Sequence, residues 1–308
     1  MTLDMFFQHL LNALQWGSFY ALIALGYNMV YGVLSLFNFA HGDIFMAGAY
    51  LGYFVSIFLV GASAVGFPIA LPTWLILILT LALSMIGTAL LGMTIERVAY
   101  RPLREAPKVS AAVTGLMVGL LMETSNLFVL GASRRNFPPL IQKTVYNIGG
   151  VSFTNIKVMI IVLSILVMLG LEFVVRRTKV GMAMRAISFD TFIVPLMGVP
   201  RDRIISITFA IGSGLAALAG ILFGIAYPVL EPYMGALIGW KAFTAAVVGG
   251  IGSITGAAVG GFLLGFIEIF VAAVFPSTLR DLIAYSIMLI ILTVRPRGLF
   301  GVARRQKV

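Results

Sequence analysis

The chain has 308 residues, 60% of them hydrophobic and only 10% charged, with a mean hydropathy of +1.06. No core of this size hides so much apolar surface, which excludes a soluble domain and predicts an all-α polytopic membrane protein. The net charge of +10 lies in separate clusters between apolar runs, a pattern that the positive-inside rule explains and a nucleic-acid surface does not.

The chain has no cysteine for a disulfide, a thiolate metal site or an iron–sulfur cluster, and two histidines far apart form no ligand set, so no cofactor is expected. The start, MTLDMFFQHL, has no basic region and does not read as a cleavable signal peptide.

In chain order, the first apolar run covers about residues 10 to 36, longer than the roughly 20 residues that span a bilayer. It ends in NFAHGD, Asn38 to Asp43. A second run (44 to 60), a Gly/Pro-rich turn (GASAVGFPIALPT) and a third run (73 to 95) follow. ERVAYRPLREAPK is extramembranous and carries Arg97, Arg101, Arg104 and Lys108. Further spans are expected at 109 to 130, 156 to 175, 204 to 226, 254 to 275 and 281 to 295, with a short, glycine-broken or re-entrant segment at 238 to 251. That makes about eight helices in a single transmembrane domain. Its first half is 1–175, a polar-edged loop occupies 176–203, and the second half is 204–308.

The polar-edged loop at 176–203 organises the topology. Arg176, Arg177, Lys179, Arg185, Arg201 and Arg203 edge the loop, and Arg295, Arg297, Arg304, Arg305 and Lys307 fill the tail. With the cluster at 97–108 they hold fifteen of the 21 basic residues. All three clusters share one side only if 238–251 itself crosses, so a discontinuous element is expected there. The amino terminus is then outside and the carboxyl terminus cytoplasmic. Helix one and helix six run in opposite senses, and each is followed by a polar break and a glycine-rich helix, NFAHGDIFMAGAYLG and TAAVVGGIGSITGAAVGG. This fits an inverted repeat, and it fits equally two unrelated tight turns.

Gly252, Gly256 and Gly260 form a small-xxx-small ridge, repeated at Gly261/Gly265, Gly48/Gly52, Gly115/Gly119 and Gly220/Gly224. Such ridges bring helix backbones together in lipid. Asn38, His41 and Gly42 at the first break, with Thr244, Gly249, Gly250 and Gly252 at the second, are candidates to line a translocation path or to satisfy loose helix ends. Lys241 and Glu268 come to similar depth on antiparallel neighbours. Either they pair, or the lysine reaches the headgroups and the acid faces a wet cavity.

Within the loop, Met182, Ala186, Phe189, Ile193 and Leu196 recur at spacings of three and four, as on a short amphipathic helix started at Gly181 and ended or kinked at Pro195. Such a helix docks on a protein or lies on lipid. No Gly-x-x-x-x-Gly-Lys-Ser/Thr loop, HExxH or GxSxG is present, so a chain that pumps by ATP needs its ATPase elsewhere. An ion-coupled secondary transporter would rely on Glu123 or Glu268, read as the two acids well inside spans.

NFAHGDIFMAGAY, ERVAYRPLR, RAISFD with MGV, and KAFTAAVVGGIGSITGA, in this order, resemble the LivH-type permease of bacterial branched-chain amino-acid ABC importers over nearly the whole chain. The resemblance implies a place in the inner membrane, a second LivM-like permease subunit, two cytoplasmic ATPase subunits that use the ATP, and a periplasmic binding protein delivering leucine, isoleucine or valine. It implies that the loop, with Gly181, Met182, Arg185, Ala186, Phe189, Asp190, Ile193 and Gly198, couples to the ATPase. Phe189 stands where many relatives carry an acid, and Thr255 where a proline is common. Permeases for urea and short amides carry a similar NxAHG motif and form the alternative.

Overall fold

The computed structural model describes residues 2–64, 71–191 and 193–301. Most of the turn after the second span and the tail cations Arg304, Arg305 and Lys307 lie outside the described residues. Among the described residues eight helical segments are long and apolar enough to cross a bilayer: α1 (Leu3–Leu34), α2 (His41–Ala64), α3 (Thr73–Ile95), α4 (Lys108–Leu130), α5 (Asn155–Arg177), α8 (Arg201–Ala226), α10 (Ile254–Val274) and the 18 residues Ser277–Val294 that contain α11 (Arg280–Val294). A wide helical turn (Glu96–Tyr100) and a tight one (Arg101–Leu103) prolong α3, and a tight turn (Ser277–Leu279) leads into α11. The chain is a multi-pass membrane protein. Its spans are helical because lipid offers no partner for backbone N–H and C=O, which only i→i−4 bonds satisfy within one segment.

Between α5 and α8 lie α6 (Lys179–Phe189) and the single turn α7 (Ile193–Leu196). The amphipathic helix thus starts two residues before Gly181, where the Thr178 hydroxyl accepts from Gly181 N–H at 3.1 Å, and stops at Phe189 rather than at Pro195. Gly181 is still required. A Cβ there would collide with the carbonyls of Val174 and Val175, where the chain folds back from α5. The segment expected as broken over 238–251 is an uninterrupted helix, α9 (Met234–Gly249), and the break follows it at Gly250–Ser253. Its glycines face neighbouring helices instead of ending it. At about 1.5 Å per residue its 16 residues reach about 24 Å, short of a full bilayer core.

The chain divides into two compact units, each drawing helices from both halves of the sequence. The first combines α1, α5, α6, α7, the end of α9 from Lys241, α10 and α11. Its centre is the α1/α10 pair, where Gly17, Gly261 and Gly265 allow backbone contact. A Cβ on Gly265 would lie 2.6 Å from Gly17 Cα, and one on Gly17 would lie 2.8 Å from Phe262 Cα. An exposed hairpin, β2 (Val145–Ile148) against β3 (Val151–Thr154), turns through Gly149 and Gly150, both at positive φ.

The second unit combines α2, α3, α4, α8 and the start of α9 up to Trp240. Here α8 packs on α2 and α3; Gly48 sits against Ala217, and a Cβ on Gly220 would lie 2.5 Å from the Phe45 carbonyl oxygen. Two short strands, β1 (Arg135–Asn136) and β4 (Val229–Leu230), pair antiparallel, and Phe137 beside them covers Gly224. The opening helix of each half therefore packs on the glycine-rich helix of the other half: α1 on α10, and α8 on α2. Gly252 belongs to no ridge. It precedes α10 with φ +82°, so the ridge starts at Gly256.

Substitution separates packing glycines from idle ones. Gly265→Val should cost about 1–3 kcal/mol by overpacking, lowering membrane accumulation and the thermal midpoint in detergent. Gly170→Val, where a Cβ meets nothing within 4 Å, should leave both near wild type.

Candidate functional site

The first break lies in the second unit. Residues 35–40 leave the helical path, and α2 restarts with His41 N–H bonded to the Asn38 carbonyl at 3.1 Å. The Asn38 side chain accepts from the Tyr100 hydroxyl at 2.9 Å. Asn38 and His41 are both buried. Gly42 meets α9 closely enough that a Cβ would lie 2.8 Å from Gly239 Cα. Asp43, which the sequence places at the edge of the break, is buried in the first turn of α2, with its carboxyl group between Gly119 of α4 and Gly235 of α9. It is therefore a further buried acid within the spans, besides Glu123 and Glu268.

The ERVAYRPLR stretch anchors the same unit. Arg104 bridges the buried Glu96 and Asp202 at the start of α8, Arg101 also meets Asp202, and Ser206 Oγ donates to Glu96 at 2.6 Å. Burial lowers the pKa of the Arg104 guanidinium while Glu96 opposes the shift, and an arginine keeps its charge at neutral pH. The motif thus ties the end of α3 to the start of α8.

The second break lies in the first unit and is held from two sides. Asn28 of α1 donates through Nδ2 to the carbonyls of Gly250 and Ser253, at 3.0 Å each, and accepts from Gly252 N–H at 3.3 Å. From the tail, Leu299 and Phe300 N–H donate to the carbonyls of Val248 and Gly249 at 2.8 and 2.9 Å. The last carbonyls of α9 are thereby satisfied inside the protein, as lipid demands. Gly250 (φ +122°) and Gly252 (φ +82°) make the turn, Gly249 approaches Gly256, and Thr244 is half-buried earlier on α9. Sequence reading missed Asn28, whose signal is a lone amide deep in an apolar run.

Lys241 Nζ lies 2.8 Å from Glu268 Oε1 and 2.8 Å from Asp281 Oδ1. Tyr20 donates its hydroxyl to Glu268 Oε2 at 2.8 Å, and Arg280 Nε reaches Asp281 at 3.1 Å. Two cations and two acids balance, so the cluster is neutral. Asp281 and Tyr20 had no place in the sequence reading. Because Lys241 meets the first turn of α11 while the end of α9 meets the chain just beyond α11, the two helices run in the same direction.

On α6 the buried residues are Gly181, Met184 and Ile187, which face the unit, while Ala186 is half-buried. Met182, Phe189, Ile193, Leu196 and Met197 are exposed, Phe189 by 89%. Arg185 donates to the Val175 carbonyl, Asp190 Oδ1 accepts from Ile193 N–H at 3.0 Å, and Gly198 (φ +80°) turns the chain towards α8. The exposed positions of α6 from 181 on are Met182, Arg185 and Phe189, so its outward face carries a basic residue between two apolar ones.

Residues 9–292 match the family described as branched-chain amino acid transport system / permease component. The high-affinity branched-chain amino acid transport system permease protein BraD of Pseudomonas aeruginosa is 38% identical over 307 residues, covering 98% of both chains. The permease proteins LivH of Salmonella typhimurium and Escherichia coli are 34% identical over 310 residues, again covering 98% of both chains. No solved structure matches the chain.

The buried cluster yields a double-mutant test. Lys241→Met should cost about 3–5 kcal/mol, the usual penalty for orphaning a buried charge, read as lost thermal stability of the purified protein. Adding Glu268→Gln should recover part of it, because Tyr20 can still donate to the amide oxygen and no buried acid is left unpaired.

Proposed function

This chain belongs to the branched-chain amino acid transport permease family, and on that premise we propose that it is the membrane-spanning subunit of an ATP-binding-cassette importer for leucine, isoleucine and valine. The end-to-end match to permease subunits carries the assignment. We place it in the bacterial inner membrane with the amino terminus outside, an orientation supported by the basic clusters at 97–108, 176–203 and the tail.

In this reading the chain works with a second, LivM-like permease, two cytoplasmic ATPases and a periplasmic binding protein. It binds no cofactor and no nucleic acid. ATP is hydrolysed on the separate subunits, a division supported by the lack of a phosphate-cradling Gly-x-x-x-x-Gly-Lys-Ser/Thr loop here. The exposed apolar side chains of α6 and α7 supply anchors for a groove on the ATPase, a mode in which a few buried side chains carry most of the binding energy. The two breaks bring interrupted backbone to membrane depth, where transporters place their pathways. Asn38, His41 and Gly42 at the first break are proposed to border a pathway, as separately is Thr244 near the second.

Reconstitution with the partner subunits tests the assignment. ATP-dependent uptake of labelled leucine, competed by isoleucine and valine and not by urea, is expected; uptake by this chain alone on an ion gradient would overturn it. Phe189→Ala should weaken ATPase co-purification by about tenfold or more, the scale of a hot-spot truncation. Because Phe189 is exposed, the variant should accumulate at the wild-type level.

A further inference from the structure

We propose that the hairpin of β2 and β3 is a lipid anchor, whose apolar face lies among the headgroups of the leaflet nearest the start of α1 and fixes the depth of α1 and α5. Directly opposed residues of an antiparallel pair share a face. The register sets Tyr146 against Phe153 and Ile148 against Val151 on one face, and Val145 against Thr154 and Asn147 against Ser152 on the other. The first face is wholly apolar, with the Tyr146 and Phe153 rings stacked at 5.8 Å. On the second, Ser152 Oγ donates to Asn147 Oδ1 at 2.5 Å. Tyr146 keeps 48% of its surface exposed and Ile148 67%. A two-stranded hairpin is marginal in water by itself, and one with an open apolar face needs cover.

The height of the hairpin identifies the cover as lipid. Ser152 N–H donates to Gln8 Oε1 at 2.9 Å, and Gln8 lies between Phe6 and His9, whose rings stand 5.5 and 6.3 Å from that of Phe270. Phe270 is one turn before the end of α10. With 21 and 23 residues, α10 and α5 just span a hydrocarbon core of roughly 30 Å at about 1.5 Å per residue, so their ends mark its edge. Ser152 is thus level with that edge. The tip is only a helical turn further out, since a Cβ on Gly150 would lie 2.8 Å from Asp4 Oδ2. The root is fixed as well: Thr154 Oγ1 accepts from Lys157 N–H at 3.2 Å, Asn155 Oδ1 accepts from Thr144 N–H at 3.0 Å, and Lys157 Nζ donates to Asn12 of α1 at 2.6 Å. Headgroups extend about 5–8 Å beyond the core on each side, which is the layer the strands occupy.

The side chains suit that layer. Residues 144–156 carry no charge, so a protein partner would find none to complement, whereas a tyrosine among apolar neighbours is the usual occupant of a membrane interface. The anchor stands whatever cargo the permease carries.

Because the chain has no cysteine, a single introduced one carries a spin label at a known place. In the full-length chain reconstituted in lipid vesicles, labels at Tyr146→Cys and Ile148→Cys should collide mainly with oxygen, which gathers in lipid. Their collisions with a water-soluble nickel chelate should be severalfold fewer than those of a label at Asn147→Cys on the opposite face. All three side chains are exposed, so the fold should tolerate each change, and two positions on the apolar face let one decide if the other variant fails to accumulate. Nickel collisions at Tyr146→Cys and Ile148→Cys equal to those at Asn147→Cys overturn the proposal. So does protection that arises only when partner subunits or a binding protein are added, which would make the face a protein-docking surface.

Discussion

Lipid supplies no hydrogen bonds, and the rest of this structure depends on that fact. A helix that runs unbroken through a bilayer satisfies its own backbone; one that stops at membrane depth leaves up to four carbonyls or N–H groups needing partners from elsewhere in the protein. Each break here is met by a dedicated polar group from a distant part of the chain. Asn28 and the tail amides hold the turn after α9, and Tyr100 holds Asn38 before α2. The cost of interruption explains why those side chains are buried and already engaged.

Close approach of backbones is the second consequence of the same medium. Helices in lipid gain little from hiding apolar side chains, so association rests on contact area, and glycine maximises it. The contacts of Gly17, Gly261 and Gly265 in one unit, and of Gly48 and Gly220 in the other, are made where a methyl group would strike backbone. Gly119 and Gly235 use the same device around a polar group, making room for the Asp43 carboxyl.

Much of this was legible in the residues. The apolar runs mark the spans because length and hydropathy are local properties, and the glycine spacing points to the faces that meet. Lys241 and Glu268 stand out because charges are scarce within the spans. Less legible was whatever depends on which helix lies beside which. Asn28 carries no local sign that its partners are 222 residues away, Asp281 reads as an ordinary first-turn acid, and Asp43 belongs to a motif more easily taken as a loop than as a helix start. The helix α9 was read as broken because glycines weaken helices in water; packed against Gly42 and Gly256 they weaken nothing.

The pairing of α1 with α10 also sets the order in which the molecule can be built. A ribosome delivers α1 first, yet Gly261, Gly265 and the carbonyls that Asn28 serves are synthesised only after more than two hundred further residues. Throughout that interval the first span waits in the membrane with an unpartnered amide and a glycine face open to lipid or to the insertion machinery. The first unit is complete only once Leu299 and Phe300, whose N–H groups cap α9, have been made as well. Assembly of the first unit is thus completed by residues far along the chain from its opening helix, and a chain interrupted before α10 would leave α1 without the surroundings it was made for.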